Sequence, residues 1–252
     1  MITVATPAEV DRLRRACRIA AQVRDDLAAR IVPGVETREL DRQAEVLIGR
    51  LGGISWFKGY RGYPATICIS VNEEVVHGIP GRRKLKDGDV ASLDIGVKFE
   101  GLHADTAVSV PVGRVDAAAE RLLAVTRDAL AEGVARARPG GRVGDISHAV
   151  QTFVERSGFT VVREFVGHGI GRREHEEPQI PNYGEAGKGP ALIEGQALAI
   201  EPMVNEGGPA VRVREDGWTA VTTDGRRSAH FEHTVLVTAA GPVILTLADA
   251  AA

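Results

Sequence analysis

Four carboxylates and one imidazole stand out by where they fall: Asp94 in SLDIG, Asp105 in HADTA, His168 in GHGIG, Glu201 in AIEPM and Glu232 in FEHT. Each lies at the end of an apolar run or beside a glycine. Singly, an aspartate after a strand starts a turn, and a histidine is an ordinary surface or core residue. Their company changes the reading. An ionised carboxylate is costly to bury unless it is paired or binds a metal. Several converging carboxylates repel one another, so some must stay protonated or hold a cation. Four carboxylates and an imidazole form a hard, oxygen-rich ligand set, better suited to Mn, Fe or Co than a closed thiolate zinc site. The set is too large for one catalytic ion, which keeps a position open. Two ions about 3.5–4 Å apart, bridged by shared carboxylates, fit the count. Two more histidines are candidates: His77 in VVHGIP and His175, seven residues after His168 in GHGIGRREHEEPQI. Gly169 and Gly171 argue against a helix there, so the spacing predicts a glycine-bent loop that brings His168 and His175 to one cleft with different tasks.

The elements that must position these residues are legible. Thr6, Pro7 and Glu9 form a capping box with proline at the first helical position. Val10, Leu13, Cys17, Ala20, Leu27 and Ile31 continue with helical spacing until Pro33-Gly34. A second helix is predicted from about Thr37, with Leu40, Ala44, Leu47 and Ile48 on one face, to Gly52-Gly53. Strands are predicted at 65–71, at 90–96 and at 106–110, with Asp94 read as ending the apolar strand ASL. The pattern then restarts. Asp116 caps a helix carrying Leu122, Leu123, Thr126, Ala129 and Leu130, and another follows with Ile146, Ala149, Val150, Phe153 and Val154. Strands are predicted at 197–200, 211–213, 219–223, 233–238 and 242–245. Residues 182–190 read as a surface loop.

Pro33-Gly34 and Pro139-Gly140 lie 106 residues apart, as do Gly52 and Gly158, and DGDVASLD at 87–94 aligns with EGQALAIE at 194–201 at an offset of 107. This is an internal repeat of one α-α-β unit, with Asp94 and Glu201 as equivalents. It predicts a single catalytic unit over 1–252, built from half-repeats of about 1–115 and 116–252.

The composition excludes several classes. A formal charge of −3 gives no sign of a polyanion partner, so no DNA or membrane surface is expected. Two cysteines, Cys17 and Cys68, cannot build a disulfide framework. No apolar run approaches the ~18 residues of a membrane span, and the N-terminal segment has no signal-peptide pattern. A soluble, cytoplasmic protein is expected.

Taken in order, TPAEVDRLRRACRIAA, PGVETRELD, GYRGYP, SVNEEVVHGIPG, SLDIGV, HADTA, GHGIGR, HEEPQIPNYG, AIEPMVN, DGWTAVT and FEHTVLVT resemble a type I methionine aminopeptidase of bacterial form, over nearly the whole chain. The resemblance implies an α+β class and the pita-bread fold, two pseudo-symmetric α-α-β halves around a central antiparallel sheet. It implies a dinuclear site for two divalent ions, whether Co, Mn, Fe or Zn. Asp94 would hold one ion, Asp105 and Glu232 would bridge, and His168 and Glu201 would complete the shell. Attack of water activated between the ions would cleave the first peptide bond. Glu201 would carry the proton from water to the leaving amine, His175 would contact the scissile carbonyl, and His77 the peptide beyond it. Tyr60, Tyr63, Cys68 and Trp218 would surround the N-terminal methionine. The implied substrate is the N-terminal Met of nascent polypeptides whose second residue is small. The implied form is a monomer with a transient ribosome contact; Arg82-Arg83-Lys84 reads as a solvated turn, and is the alternative candidate for that contact. One departure matters: Glu174 replaces the large apolar residue usual before His175. It would either face the methionine pocket or turn towards Arg172 or Arg173. Rival readings on the same fold are a proline-directed peptidase, which generally carries an extra N-terminal domain, and a binding domain that has lost its metal.

Overall fold

The computed structural model describes residues 6–247; the chain ends included in the single-unit reading, 1–5 and 248–252, lie outside them. Among the described residues there are four α-helices, α1 (Pro7–Ala28), α2 (Thr37–Arg50), α3 (Ala117–Ala135) and α4 (Val143–Arg156), and one 3-10 turn at Tyr60–Gly62. The strands in chain order are β1 (Ile54–Ser55), β2 (Cys68–Val71), β3 (Glu74–Val76), β4 (Val90–Phe99), β5 (Leu102–Pro111), β6 (Thr160–Val161), β7 (Gly167–Gly169) and β8 (Glu176–Ile180). They continue with β9 (Ala197–Ile200), β10 (Met203–Asn205), β11 (Val211–Val213), β12 (Ala220–Thr222), β13 (Ser228–His230), β14 (Glu232–Thr238) and β15 (Gly241–Ile244).

The predicted helix starts form as read. Glu9 N–H donates to Thr6 Oγ1 at 3.3 Å, and Glu9 Oε2 accepts from Thr6 N–H at 2.9 Å, closing the capping box of α1. Ala119 N–H donates to Asp116 Oδ1 at 2.8 Å, capping α3. Each side chain satisfies a helix N–H that has no partner within the helix. Leu13, Ala16, Cys17, Ala20, Val23 and Leu27 on α1 are buried together with Leu40, Ala44 and Ile48 on α2 and with Leu93, Ile95 and Val97 on β4. A second cluster joins Leu130 and Val134 of α3 and Ile146 of α4 to Leu198 and Ile200 of β9 and Val235 and Val237 of β14.

The main sheet has nine strands, in the path β1-β4-β5-β14-β9-β7-β8 with β2 added on β4 and β15 on β14. Its pairings are antiparallel. The central order β4-β5-β14-β9 carries the repeat: β4 and β9 are flanking equivalents, β5 and β14 the inner pair. One helix pair serves the β4-β5 half and the other the β14-β9 half. This is the pita-bread arrangement of two pseudo-symmetric α-α-β halves. Two three-stranded sheets, β13-β10-β6 and β11-β12-β3, complete it.

Two positions differ from the sequence reading. Asp94 does not end a strand: it lies in the middle of the ten-residue β4, which runs on through Gly96 to Phe99. His168 is not in a loop but in β7, paired with β9 on one side and β8 on the other. The glycines hid that strand. Gly167 and Gly169 are there because neighbouring backbone leaves no room: a Cβ at Gly169 would run into the Glu177 carbonyl, and one at Gly167 into that of Ala199.

Candidate metal centre

Strand register assembles the site. Asp94 on β4 and Glu232 on β14 are both opposite Ala107 of β5, one from each side. Side chains alternate between faces along a strand, so Asp105, two residues from Ala107, shares their face. Leu93, Ile95 and Val97 between them turn to the helix side. On the other half, His168 of β7 is opposite Ala199 of β9, and Glu201 follows the end of β9. Adjacent strands lie about 4.8 Å apart, so residues 138 apart in the sequence, Asp94 and Glu232, come within two strand spacings.

Asp105, His168 and Glu232 offer ligand atoms that all lie within 4.8 Å of one another. Glu201 Oε1 is 3.4 Å from His168 Nε2. All five predicted ligands line one cavity of about 970 Å³. The carboxylates oppose their own charge. Burial pushes Asp94 up to about 7. Burial, then the charge of Glu232, holds Asp105 well above the usual carboxylate range. Glu201 is raised by burial and then by Asp105, and Glu232 by burial and then by Glu201. Burial pushes His168 down to about 3, with His175 adding to the effect. A neutral His168 bonded through Nδ1 to Gly169 O at 2.9 Å, with its proton there, presents a bare Nε2 lone pair to the cluster.

This donor set fits divalent cations. Asp94 Oδ1 and Glu232 Oε1 are buried without a hydrogen-bond partner, a costly state for carboxylate oxygens. Positive charge between the carboxylates would satisfy both atoms and reverse the mutual repulsion.

The other predicted residues surround this floor. The His175 ring centroid is 4.4 Å from that of His168, and Tyr60 Oη lies 3.3 Å from His175 Nδ1. His77 has a left-handed φ of 60°, unusual for a residue with a side chain, and its ring packs 5.3 Å from Phe165 and 6.3 Å from Trp218. Burial lowers its pKa to about 4. Gly78 beside it must be glycine, since a Cβ would strike the Ile69 carbonyl. Tyr63 donates to Gly78 O at 2.9 Å and stacks edge-on against Trp218 at 5.0 Å. Cys68 is opposite Asp94 in the β2-β4 register, and burial holds its thiol well above the usual range. A thiol held neutral is no nucleophile. Tyr60, Tyr63, Cys68, His77, His175 and Trp218 all line the cavity.

Glu174 takes neither predicted direction. It does not line the cavity, and its Oε2 lies 3.9 Å from His103 Nε2. Arg172 is taken instead by Glu9, through contacts of 2.6 and 3.0 Å, while Arg173 N–H donates to Glu176 Oε1. The guanidinium of Arg172 is therefore already engaged away from Glu174. In the basic triplet, Arg83 is paired with Glu74 at 3.0 Å, so that cluster is partly neutralised. Sequence reasoning missed Trp56, Phe57 and Phe165 on the cavity wall and the buried His230, whose Nε2 lies 3.7 Å from Glu201 Oε2. Trp56, Phe57 and Phe165 carry no local signal. His230 stands two residues before Glu232 in AHFEHT, and period-two alternation could have placed both on one face.

The family model for metallopeptidase family M24 matches residues 11–239. The chain is 52% identical over 246 residues to methionine aminopeptidase 1 of Bacillus subtilis (strain 168), covering 98% of this chain and 99% of that protein. It is 43% identical over 248 residues to the methionine aminopeptidase of Escherichia coli (strain K12), covering 98% and 94%. Among solved structures, the methionine aminopeptidase of Thermotoga maritima superposes with a TM-score of 0.96 at 47% identity, over 98% of this chain and 99% of that one. The prolidase of Pyrococcus furiosus shares the fold, with a TM-score of 0.80 at 21% identity, and this chain spans 66% of its length.

Proposed function

The chain belongs to metallopeptidase family M24, on the type I methionine aminopeptidase branch, and from that premise we propose that it removes the N-terminal methionine of nascent polypeptides whose second residue is small. The observation that carries this reading is the meeting of four carboxylates and His168 at the floor of a cavity walled by aromatic rings and a thiol. Asp94, Asp105, His168, Glu201 and Glu232 would hold two divalent ions. When bound, such ions acidify water, anchor an amino terminus and neutralise the carboxylate charge.

The chain's own residues do the rest. Tyr63, Cys68, Trp218 and Phe57 offer ring edges and a thiol to a thioether side chain, which packs well against both. With the Tyr60 hydroxyl donating to His175 Nδ1, the His175 proton sits on Nε2 and is aimed at the carbonyl oxygen of the first peptide bond. His77, neutral through burial, takes the backbone beyond the cleaved bond. The Glu201 carboxylate accepts the proton of the attacking water and returns it to the amide nitrogen as the C–N bond breaks. On this reading the work is done in the cytoplasm, on chains emerging from the ribosome, and by a monomer, as the resemblance implies.

Hydrolysis of a Met-X-Y peptide series, with X from Gly to Leu and after defined metal loading, tests the reading. Cleavage restricted to small X is expected. Preferential cleavage of X-Pro peptides, or none after Mn or Co addition, would overturn it.

A further inference from the structure

Glu201 is approached by an imidazole on each of its two carboxylate oxygens. Oε1 faces His168 Nε2 at 3.4 Å, and Oε2 faces His230 Nε2 at 3.7 Å. The first histidine belongs to the ligand set. The second has no place in it, is 2% exposed, and leaves Nε2 without a hydrogen-bond partner. Its backbone is fixed on both sides: His230 N–H donates to Ser109 Oγ at 2.8 Å, and Ser109 Oγ donates back to His230 O at 2.9 Å. His230 is also in register with Met203 of β10. The Glu201 backbone is held as well, its carbonyl accepting from Asn182 Nδ2 at 3.1 Å. Two side chains carried on anchored backbone thus face one another across a gap that a small rotation closes to an ordinary hydrogen bond of about 2.9 Å.

We propose that His230 is a positioning residue for Glu201: its Nε2–H donates to the carboxylate oxygen turned away from His168 and fixes the orientation in which Glu201 meets metal and water. The inference rests on the proposed proton-carrying role of Glu201. An imidazole N–H is a donor of the right reach for this gap, and Nε2 of His230 has no other hydrogen-bond partner. An imidazole that orients a ligating carboxylate acts as outer-shell partners do, and loss of such a partner typically costs about 10–100-fold in metal affinity or activity.

The test compares His230→Gln, which keeps an N–H donor at similar reach, with His230→Leu, which fills the space without one. Two quantities are read on the full chain: Mn affinity of the metal-free protein by calorimetry, and kcat against KM on a Met-Ala peptide. The Leu variant is expected to lose about 10-fold or more in Mn affinity and in kcat, with KM within about 2-fold, and the Gln variant to stay within about 3-fold of the parent on all three. If the Leu chain does not fold, His230→Asn, polar but too short to reach Glu201, replaces it with the same expected losses. A donor-free variant that keeps both affinity and kcat overturns the proposal, as does a Gln variant that falls as far as Leu. Glu201→Gln is measured alongside. Near-normal kcat in metal-loaded Glu201→Gln refutes the role of Glu201 itself, whereas an inactive Glu201→Gln beside an unaffected His230→Leu refutes only the role of His230.

Discussion

Replacing Asp94 by Asn should act on folding and on metal binding with opposite signs. Asp94 is buried with Oδ1 unpartnered, and burial lifts its pKa from 3.8 to about 7 in the metal-free chain. Such a carboxyl binds more protons folded than unfolded, so its contribution to stability falls as pH rises from the unfolded value to the folded one, and stays lost above it. At about 1.4 kcal/mol for each pH unit of separation, the loss is about 2 kcal/mol near pH 5 and about 4 kcal/mol near pH 8. The nearby histidines pull the other way. Burial holds His77 at about 4 and His168 and His230 at about 3, so folded they stay neutral and add stability as pH rises to the ordinary histidine range. Comparing the variant with its parent at each pH removes most of that contribution. In a chelator, Asp94→Asn is expected to be the more stable by about 2 kcal/mol near pH 5 and about 4 kcal/mol near pH 8, a rise in Tm of about 10 °C at the higher pH. At free Mn about a hundred times its Kd, the parent gains about 2.7 kcal/mol, and the variant gains far less. Urea and thermal melts followed by circular dichroism at both pH values measure this. A difference that does not grow with pH, or a variant less stable than its parent near pH 8 in chelator, would refute the buried-charge reasoning.

Glu174 tests the cavity wall. Had it faced the pocket, Glu174→Phe would lower KM for a Met-Ala peptide. Turned to His103, it should leave KM within about 2-fold, as expected for a substitution away from the site, and a tenfold fall would show that the side chain reaches the pocket. Gly169→Ala drives a methyl into the Glu177 carbonyl across β7 and β8, at a cost of about 1–3 kcal/mol. A lower Tm together with lost activity is expected, and an unchanged melt would mean that the two strands separate freely.

The fold and the candidate ligands were legible where signals were long or repeated. Capping residues and helical spacing located all four helices, and the ten-residue β4 and β5 carried strong apolar patterns. The offset of 107 linked Asp94 to Glu201 because β4 and β9 are structural equivalents. The inner pair could not be linked the same way: Asp105 and Glu232 are 127 apart, since β10 to β13 intervene in the second half. Strands β6, β7, β10 and β13 have two or three residues, too few for alternation to register. His168, read as a site residue, lines the cavity, but it sits in a strand and not in the predicted loop. His230 and Glu174 depended on partners distant in sequence, Glu201 and His103, whose approach only the folded chain creates.

The Glu9 carboxylate does two things at once: it closes the cap of α1 and grips Arg172. The segment carrying His175 is thereby moored at one end, and Gly171 O accepts from both the backbone and the ring of His103. Freezing a residue's backbone costs about 1–2 kcal/mol. Here that cost falls on folding and not on substrate capture, so His175 meets each peptide already ordered. Any change that frays the first turn of α1, more than 160 positions away in the sequence, would return that entropy to the catalytic loop and shift its cost into the binding step.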